Sequence, residues 1–419
     1  MNEQQKLKAE QQRAEQLANR DLPEGHTLFV CVYLNRLLSE GNTPTEAIEK
    51  LENDFGIGHR HSNIDGVDFY VFNYSQIDSP KFCTIVNDAR SLVLTLIGGV
   101  FVEDSLSFTR FYNLGEDPKE GVDFSRTYWY PKHDGSLVTA WFSKSIGRPL
   151  YRTKSMIMPD ESMKTTVDGL PWKTLIESTL QWEELKELLV EDMNYTFEVC
   201  SPHNRIVYPY DKPQAYFLAA ITEDSNCYLN GIHDCIRDFK EELEKLGIEV
   251  LPMSKFSDEE AMNSAMAEQP PLFEGYVGYV SDLGMYYPVA KSKSKAYVAA
   301  HRMRGEGLNP KRICQLVIAN EQDEYISVFP EDESVIIPYV DAYESVKDQL
   351  EKAIALGVGI FNEEGNGYKE VALAFKDTPW QGFVMNHIRK GAAEIDIKKV
   401  LTSIREPHMI DLIKNNLAR

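Results

Sequence analysis

The stretch Tyr130-Pro131-Lys132-His133-Asp134-Gly135-Ser136-Leu137 decides how the fold is interpreted, because it places a lysine and an Asp-Gly turn directly before a strand. The strand is predicted by alternating apolar residues at 137–142. An Asp-Gly pair between strands is a common hairpin signal, and lysine is usually solvated. Lys132 could instead be a nucleophile. Taken alone, the stretch favours a surface turn.

Four further segments change that balance. Arg90 lies between two predicted strands, and Glu198 lies within another strand that precedes 204–207 (NRIV). Glu274 opens the segment 274–277 (EGYV), and the basic segment 291–298 (KSKSKAYV) follows it. A strand-edge glutamate or a solvated basic turn explains each segment separately. Their joint occurrence in one order does not fit those ordinary explanations.

In this order and spacing the segments resemble the motifs of covalent nucleotidyltransferases, which include nucleic-acid ligases and messenger-RNA capping enzymes. The resemblance is closest to the type 1 RNA ligases of T-even bacteriophages, associated with repair of cleaved transfer-RNA anticodon loops. It covers roughly 26–304, with 132–136 (KHDGS) and 291–294 (KSKS) as its most specific parts. The expected fold class is α+β: a nucleotidyltransferase body of ATP-grasp-like antiparallel sheets with flanking helices, followed by an all-helical C-terminal domain.

The resemblance implies a role for each matching residue. Lys132 is expected to be adenylylated and to act with Lys291 and Lys293 in catalysis. Glu198 is favoured for ribose hydroxyls, and Glu274 for holding water around a metal ion. ATP and Mg²⁺ are the expected cofactors, with Mn²⁺ as an alternative metal. The residues expected to bind the nucleotide are Arg90, Arg110, Lys154, Glu198, Glu274 and Tyr297. Tyr297 fits a core contact in a Tyr-Val strand equally well.

The chemistry required of these residues agrees with the implied roles. A free lysine has a pKa near ~10.4, so few molecules carry a neutral amine at pH 7. Neighbouring cations such as Lys291 and Lys293, together with a metal ion, are expected to lower the pKa of Lys132 towards ~7 or 8. The same cations would neutralise charge that develops on the α-phosphate of ATP.

The sequence departs from related families in ways that favour an RNA ligase. DNA ligases and capping enzymes usually carry an arginine at the position of Leu137, and they continue into an OB-fold domain, whereas this chain becomes helical after Arg304. Ser91 stands where glycine is expected, and Arg110 where lysine is more typical. Neither change removes a positive charge.

Composition and charge limit the other possibilities. The chain has 419 residues and a net charge of −21, which argues against nucleic-acid binding through bulk charge. No apolar run suggests a membrane span, and residues 1–20 do not form a secretory signal. Six cysteines without zinc spacing fit a reducing compartment. The sequence therefore predicts a cytoplasmic protein, in the host cytoplasm if it is phage-encoded.

Periodicity and capping signals predict the secondary structure. Helices are expected at 1–20, 26–40, from Thr43 onward, and at 232–246, 339–356, 380–390, 396–404 and 408–418. Strands are expected at 67–74, 82–86, 92–97, 137–142, 195–200, 205–208, 216–221, 248–251, 276–280 and 296–300.

The predicted domains are a charged helical extension at 1–20, an adenylyltransferase domain at 21–304 and a helical domain at 305–419. The last of these would select an RNA or transfer-RNA substrate by resemblance. Its basic pairs Arg389-Lys390 and Lys398-Lys399 could grip phosphates, and Trp380 and Phe383 could stack on bases. A solvated basic face beside core aromatics is the favoured alternative.

These observations predict a monomeric ATP-dependent RNA ligase that joins 5′-phosphate and 3′-hydroxyl ends through a lysyl-AMP and an AMP-RNA intermediate. The expected substrates are ATP and RNA, in particular broken anticodon loops of transfer RNA, with a polynucleotide kinase/phosphatase as a functional partner and no membrane contact. The alternatives are a duplex-nick or DNA ligase of the same superfamily, or a relative that binds nucleotide or RNA without catalysis.

Overall fold

The computed structural model describes residues 28–110, 112–116, 121–222, 228–229, 236–282, 285–305, 307–390, 400–401 and 403–417. The predicted extension at 1–20, Phe111, two of the cysteines (Cys227 and Cys235) and the Lys398-Lys399 pair lie outside these residues. The chain divides into two compact units, Met1–Ala299 and Ala300–Arg419. No helix in the described part is long and apolar enough to cross a membrane.

The strands all belong to the first unit. In chain order they are β1 (Ile57–Ile64), β2 (Val67–Tyr74), β3 (Arg90–Ile97), β4 (Val100–Ser105), β5 (Tyr112–Asn113), β6 (Thr127–Lys132), β7 (Ser136–Ser143), β8 (Arg148–Arg152), β9 (Met193–Cys200), β10 (Gln214–Thr222), β11 (Tyr228–Leu229), β12 (Glu249–Val250), β13 (Gly275–Asp282) and β14 (Met285–Lys293).

Helices flank the sheets and continue through the second unit. They are α1 (Phe29–Ser39), α2 (Pro44–Phe55), α3 (Thr84–Asp88), α4 (Trp172–Leu180), α5 (Trp182–Leu185), α6 (Arg237–Lys245), α7 (Glu259–Ala267), α8 (Lys295–Arg304), α9 (Pro310–Ala319), α10 (Gln322–Val328), α11 (Glu333–Asn362), α12 (Tyr368–Ala374), α13 (Gln381–Arg389) and α14 (Glu406–Leu417). Short 3₁₀ turns lie at Lys186–Leu188, Pro202–Asn204 and Pro330–Asp332.

Three mainly antiparallel sheets form the first unit. The first has the order β1-β2-β3-β4, and the second has the order β11-β10-β9-β7-β8 with β12 paired to β10. The third has the order β5-β14-β13-β6. In this sheet β6 ends at Lys132, β13 begins at Gly275 and β14 ends at Lys293. Only the pairs β10–β12 and β14–β5 are parallel among the described strands. The predicted α+β class with antiparallel sheets and a helical C-terminal region is confirmed.

Alternation along β9 explains which side chains face the site. Phe197 and Val199 are buried in a core that includes Leu175 of α4 and Leu243 of α6. Because successive strand residues point to opposite faces, Glu198 faces away from this core. Leu137 on β7 lies opposite Glu198 across the strand pair, so it shares that face.

The capping signal at Thr43 is confirmed. The Thr43 side chain accepts a hydrogen bond from the Glu46 backbone N–H, and the Thr43 N–H donates to the Glu46 carboxylate. Pro44 occupies the first turn of α2, and Gly56 ends the helix in the left-handed region at φ 64°.

Three predicted strands are wrong. Residues 82–86 overlap helix α3, and 296–300 lie within helix α8, because the Ser294 hydroxyl caps that helix by accepting from the Tyr297 N–H at 3.1 Å. Residues 205–208 form no strand, since the backbone N–H groups of Val207 and Tyr208 donate to the Asp134 carboxylate instead of a neighbouring strand.

The remaining differences concern element limits and elements that were not predicted, among them β1, β4, β6, β8, α4 and α7. The helix predicted at 232–246 is described from Arg237 to Lys245, and the strand predicted at 248–251 is only Glu249–Val250. Most of the helix predicted at 396–404 lies outside the described residues.

The second unit is helical throughout its described residues. Long helix α11 contributes Val346, Leu350 and Ile354 to a core that also receives Ile413 from α14. Trp380 belongs to that core with 9 % exposure, and Phe383 packs against it. The structure therefore agrees with the core interpretation of these aromatics, while Arg389 and Lys390 are exposed.

Candidate active site

Lys132 ends β6 directly opposite Gly275 of β13. This register brings the Lys132 Nζ to 3.0 Å from the Glu274 Oε2, although the two residues are 142 positions apart. Lys293 of β14 lies opposite Gly275 on its other side, and its Nζ is 2.9 Å from the Glu274 Oε1. We call Lys132, Lys293 and Glu274 the Glu274 cluster. One buried carboxylate therefore holds two of the three predicted catalytic lysines.

Gly275 allows this close approach. Its φ is 147°, and a Cβ at this position would lie 1.9 Å from the Ser292 backbone oxygen. Gly135 is similarly confined, since an added Cβ would lie 2.5 Å from the Val199 oxygen. Both glycines are required by close packing of backbone on backbone.

A second group of charges lines a cavity of about 430 Å³ beside Lys132. Arg90 from β3, Lys154 after β8 and Lys291 from β14 all contribute to its wall, together with Glu198. We call it the cationic cavity. Five of the predicted site residues, including Lys132 itself, therefore lie around one space, although they come from different strands.

The pKa values of the lysines differ in direction. Burial lowers the pKa of Lys132, but the Glu274 and Glu198 carboxylates outweigh it, so the pKa lies above its usual value. Burial, together with Arg90 and the other lysines of the site, lowers the pKa of Lys291 to about 8. The neighbouring cations alone therefore do not lower the pKa of Lys132, because the Glu274 and Glu198 carboxylates favour its charged form; the predicted effect of a metal ion stays a prediction.

Two further groups in the cationic cavity are shifted by burial. Burial and the charge of Arg90 lower the pKa of Lys154. Burial raises the pKa of Glu198 to about 7, with Glu274 and Asp134 adding to the increase and Lys132 opposing it. Glu198 therefore changes protonation near neutral pH unless a ligand alters its surroundings.

A narrow apolar cleft adjoins the same lysine. Leu137, Leu218 and Val277 line it, with Glu198 and Lys132 at its edge. Flat apolar ligands suit such a cleft because each face of the ring system can contact aliphatic side chains. The cleft and the cationic cavity meet at Lys132.

Asp134 connects the stretch that carries Lys132 to distant segments by hydrogen bonds. Its Oδ1 accepts from the Tyr297 hydroxyl at 2.6 Å, and its Oδ2 accepts from the N–H groups of Val207 and Tyr208 at 2.7 and 2.8 Å. Sequence reasoning treated Asp134 only as a turn residue. The closeness of Asp134 to Lys132 in the sequence could have indicated a role. Its hydrogen-bond partners could not be predicted, because they come from distant segments.

Tyr297 and Arg110 do not line the cationic cavity. The Tyr297 hydroxyl contacts Asp134, and the Lys293 Nζ lies 4.9 Å from the Tyr297 ring centre. The Arg110 guanidinium packs 4.4 Å from the ring centre of Tyr74, a residue that does line the cavity. Nucleotide binding by these two residues stays a prediction.

Ser91 adopts the backbone conformation that the expected glycine would allow. Its φ is 64°, in the left-handed region that glycine adopts most easily. The Asn73 side-chain oxygen accepts from both the Ser91 N–H at 3.1 Å and the Ser91 hydroxyl at 3.3 Å. The backbone geometry next to Arg90 is thus retained by hydrogen bonding.

Several cavity residues escaped sequence reasoning. Gln76 and Trp172 line the cationic cavity, and nothing in their sequence context distinguishes them. His133 lines a second cavity of about 620 Å³ with Tyr208, Tyr210 and Tyr216. Its ring stacks on Tyr216 with centres 3.5 Å apart, and burial lowers its pKa to about 4.

The carboxylates suit only one kind of metal site. Among the described residues, no group of three His, Cys, Asp or Glu side chains could hold a metal ion. Mg²⁺ at phosphate sites commonly takes one or two carboxylates and obtains its other ligands from water and substrate. Glu274 and Glu198 fit that arrangement and do not form a closed protein cage. Glu274 as a metal ligand stays a prediction.

Known proteins resemble this chain. No protein-family model matches it. The chain is 27% identical over 414 residues to the "Putative bifunctional polynucleotide kinase/RNA ligase" of Autographa californica nuclear polyhedrosis virus, a match that covers 92% of this chain and 53% of that protein. It is 22% identical over 373 residues to an RNA ligase of Rhodothermus phage RM378, covering 77% of this chain and 82% of that one.

Among solved structures, an archaeal ATP-dependent RNA ligase has 15% identity and a TM-score of 0.41, covering 75% of this chain and 82% of that one. The chain spans about half the length of the baculovirus relative. Both curated relatives carry the name RNA ligase, one of them joined to a kinase.

Proposed function

We propose that this chain is an ATP-dependent RNA ligase whose adenylylated residue is Lys132. The observation that carries the proposal is the place of the Lys132 amine, at the wall of a cavity whose other cations are Arg90, Lys154 and Lys291. A nucleophile beside three fixed positive charges suits attack on a polyphosphate. The two curated relatives support RNA as the second substrate.

The first step joins Lys132 to AMP. The Nζ attacks the α-phosphorus of ATP, a P–N bond forms, and the bond to pyrophosphate breaks. The Glu274 Oε2, at 3.0 Å, is positioned to accept the proton that the amine must lose. Arg90, Lys154 and Lys291 stabilise the charge on the phosphates and on the departing pyrophosphate.

Two further displacements complete the reaction. An oxygen of the RNA 5′-phosphate attacks the phosphorus of lysyl-AMP, the P–N bond breaks, and the Lys132 amine regains a proton. The 3′-hydroxyl then attacks the 5′-phosphorus of AMP-RNA and releases its proton to solvent, and AMP leaves with the electron pair as the phosphodiester forms. Lys291 and Lys293 stabilise the phosphate oxygens in each displacement.

The remaining residues would orient the nucleotide. We assign the adenine to the apolar cleft that Leu218 and Val277 help to line, and Glu198, which also lines it, to hydrogen bonds from the ribose. A bound Mg²⁺ or Mn²⁺ would add positive charge beside the phosphates, with Glu274 as its protein carboxylate.

Labelling with ATP tests the proposal. The full chain is incubated with Mg²⁺ and ATP carrying a label on the α-phosphate, and the modified peptide is identified by mass spectrometry. We expect one added AMP on Lys132 and release of pyrophosphate. Lys132→Ala should form no labelled protein, and urea unfolding should establish that this variant is folded.

A matched control uses Lys352, which has 75% side-chain exposure on α11. Lys352→Ala should be labelled as the wild type is. A labelled Lys132→Ala protein, or AMP mapped to another residue, would contradict the assignment. Comparing single-stranded RNA, nicked RNA and nicked DNA as substrates then tests the preference for RNA ends, which we expect to be for single-stranded RNA.

The biological setting is also proposed. We expect broken anticodon loops of transfer RNA as substrates in the cytoplasm of a host cell, with substrate selection by the helical unit. A polynucleotide kinase/phosphatase would supply the 5′-phosphate, since the name of the baculovirus relative joins a kinase to a ligase.

A further inference from the structure

The cavity of about 620 Å³ lined by His133 and three tyrosines has no role in the proposed adenylylation. Lys132 and Glu274 form part of its wall, so it opens directly onto the reacting amine. His133, Tyr208, Tyr210 and the other aromatic residues at 216 and 273 supply most of its ring surfaces. We call it the aromatic cavity.

The rings of the aromatic cavity are arranged for stacking. His133 and Tyr216 are nearly parallel, with an angle of 10° and ring centres 3.5 Å apart. Tyr208 and Tyr210 lie 4.7 Å apart and are partly exposed. Half-exposed aromatic rings bind unpaired bases by stacking with little dependence on sequence. The cavity volume lies within the range that small ligands occupy in proteins.

Charge distinguishes this cavity from the cationic one. Its described lining places the carboxylates of Asp211, Glu249 and Glu274 near Lys132 and Lys212, so negative groups are not outnumbered. A 5′-phosphate is an anion and suits the cationic cavity once pyrophosphate has left it. A 3′-terminal nucleoside ends in a neutral hydroxyl and can bind beside carboxylates without repulsion.

We propose that the aromatic cavity binds the terminal nucleoside of the RNA strand that ends in a 3′-hydroxyl, with its base stacked on the tyrosine rings. This inference rests on the proposed ligase function and identifies where one of its two RNA ends binds. It places the attacking hydroxyl and the adenylylated 5′-end in two separate cavities that share Lys132 in their walls. The final displacement then needs no exchange of the two strands at one site.

Tyr208 offers a clean test because its side chain and its backbone have separate tasks. The backbone N–H donates to Asp134 at 2.8 Å and is retained in every variant. Its ring lines the aromatic cavity. Tyr208→Ala removes the ring, and Tyr208→Phe keeps it while removing only the hydroxyl.

The assay isolates the last displacement by supplying preadenylylated RNA and an acceptor oligonucleotide, without ATP. We expect Tyr208→Ala to raise the KM for the acceptor by roughly tenfold, and Tyr208→Phe to stay near the wild type. Labelling of the same variants by ATP should be unchanged in rate and in KM for ATP.

Two results would overturn the inference. One is an unchanged acceptor KM in Tyr208→Ala. The other is a raised KM for ATP in that variant, which would assign the tyrosine rings to the adenine of ATP. A wild-type chain that forms no lysyl-AMP would instead contradict the proposed function, so the two failures are distinguishable.

Discussion

The lysines of the candidate site occupy two opposite electrostatic surroundings. In the Glu274 cluster, Lys132 and Lys293 share one buried carboxylate at 3.0 and 2.9 Å. Around the cationic cavity, Lys291 lies among positive groups, and burial with those charges lowers its pKa to about 8. Two lysines on the same strand, separated by one residue, thus face different chemistry.

The difference between the Glu274 cluster and the cationic cavity shows how one site can both position a nucleophilic amine and attract a polyanion. In the Glu274 cluster one carboxylate offsets part of the charge of two lysines and fixes the position of the Lys132 amine. The cationic cavity concentrates positive charge that a phosphate group can neutralise. A phosphate-rich ligand can therefore bind in the cationic cavity without a rearrangement of the Glu274 cluster.

The largest expected effect comes from breaking the Glu274 cluster. Glu274→Gln removes the charge that raises the pKa of Lys132 and also removes the group positioned to accept its proton. We expect single-turnover labelling by ATP to slow by about hundredfold. Because the pKa of Lys132 falls, the midpoint of the rate's rise with pH should move to lower pH.

The comparison is made across pH against wild type and Glu274→Asp, which keeps the negative charge. A slow Glu274→Gln enzyme whose pH midpoint is unchanged would mean that Glu274 does not control the proton on Lys132.

An intermediate effect is expected in the cationic cavity. Lys291 is charged below its pKa of about 8 and neutral above it, so ATP binding should weaken as pH rises through that value. We expect the KM for ATP to increase by about tenfold between pH 7 and pH 9. Lys291→Arg keeps its charge over this range and should give a flat profile, whereas Lys291→Gln should have a high KM at every pH. A rising profile in Lys291→Arg would exclude Lys291 as its source.

The smallest expected effect comes from removing the hydrogen bond between Tyr297 and Asp134. Tyr297→Phe removes the 2.6 Å hydrogen bond to Asp134 but keeps the ring beside Lys293. Asp134 retains two backbone donors, so we expect a loss of about 1 to 2 kcal/mol in the free energy of unfolding, measured with urea. Labelling by ATP should change less than about threefold, since the ring and Lys293 remain in contact.

Tyr297→Leu removes both the hydroxyl and the ring, and it should slow labelling as well. Equal labelling rates in the Phe and Leu variants would remove the ring from any role in positioning Lys293.

Much of the sheet body could be predicted because its strands carry local signals. The alternating residues of β2 and β7 and the capping box of α2 contain their own structural information, and these elements are confirmed. The segment at 205–208 also has strand-forming residues, but Asp134 takes two of its N–H groups. Helix α8 was missed because a serine cap outweighed the strand propensity of Tyr297 and Val298.

The residues of the candidate site also differ in whether the sequence around them predicts their role. Residues with charge and motif context, such as Lys132, Glu198 and Lys291, are brought together at one cavity. Tyr208 and Trp172 carry no such signal, and they reach cavity walls only through the path of the folded chain. The position of Tyr297 behind Asp134 also depends on contact between distant segments.

The sequence by itself determined which charged side chains are available and on which strands they alternate towards one face, because those properties depend on neighbouring residues. Only the tertiary structure decided that the pKa of Lys132 is raised and that of Lys291 is lowered, since the pKa of an amine follows from burial and from charges a few ångströms away. Those charges come from residues distant in the chain, and their distances exist only after the strands have paired.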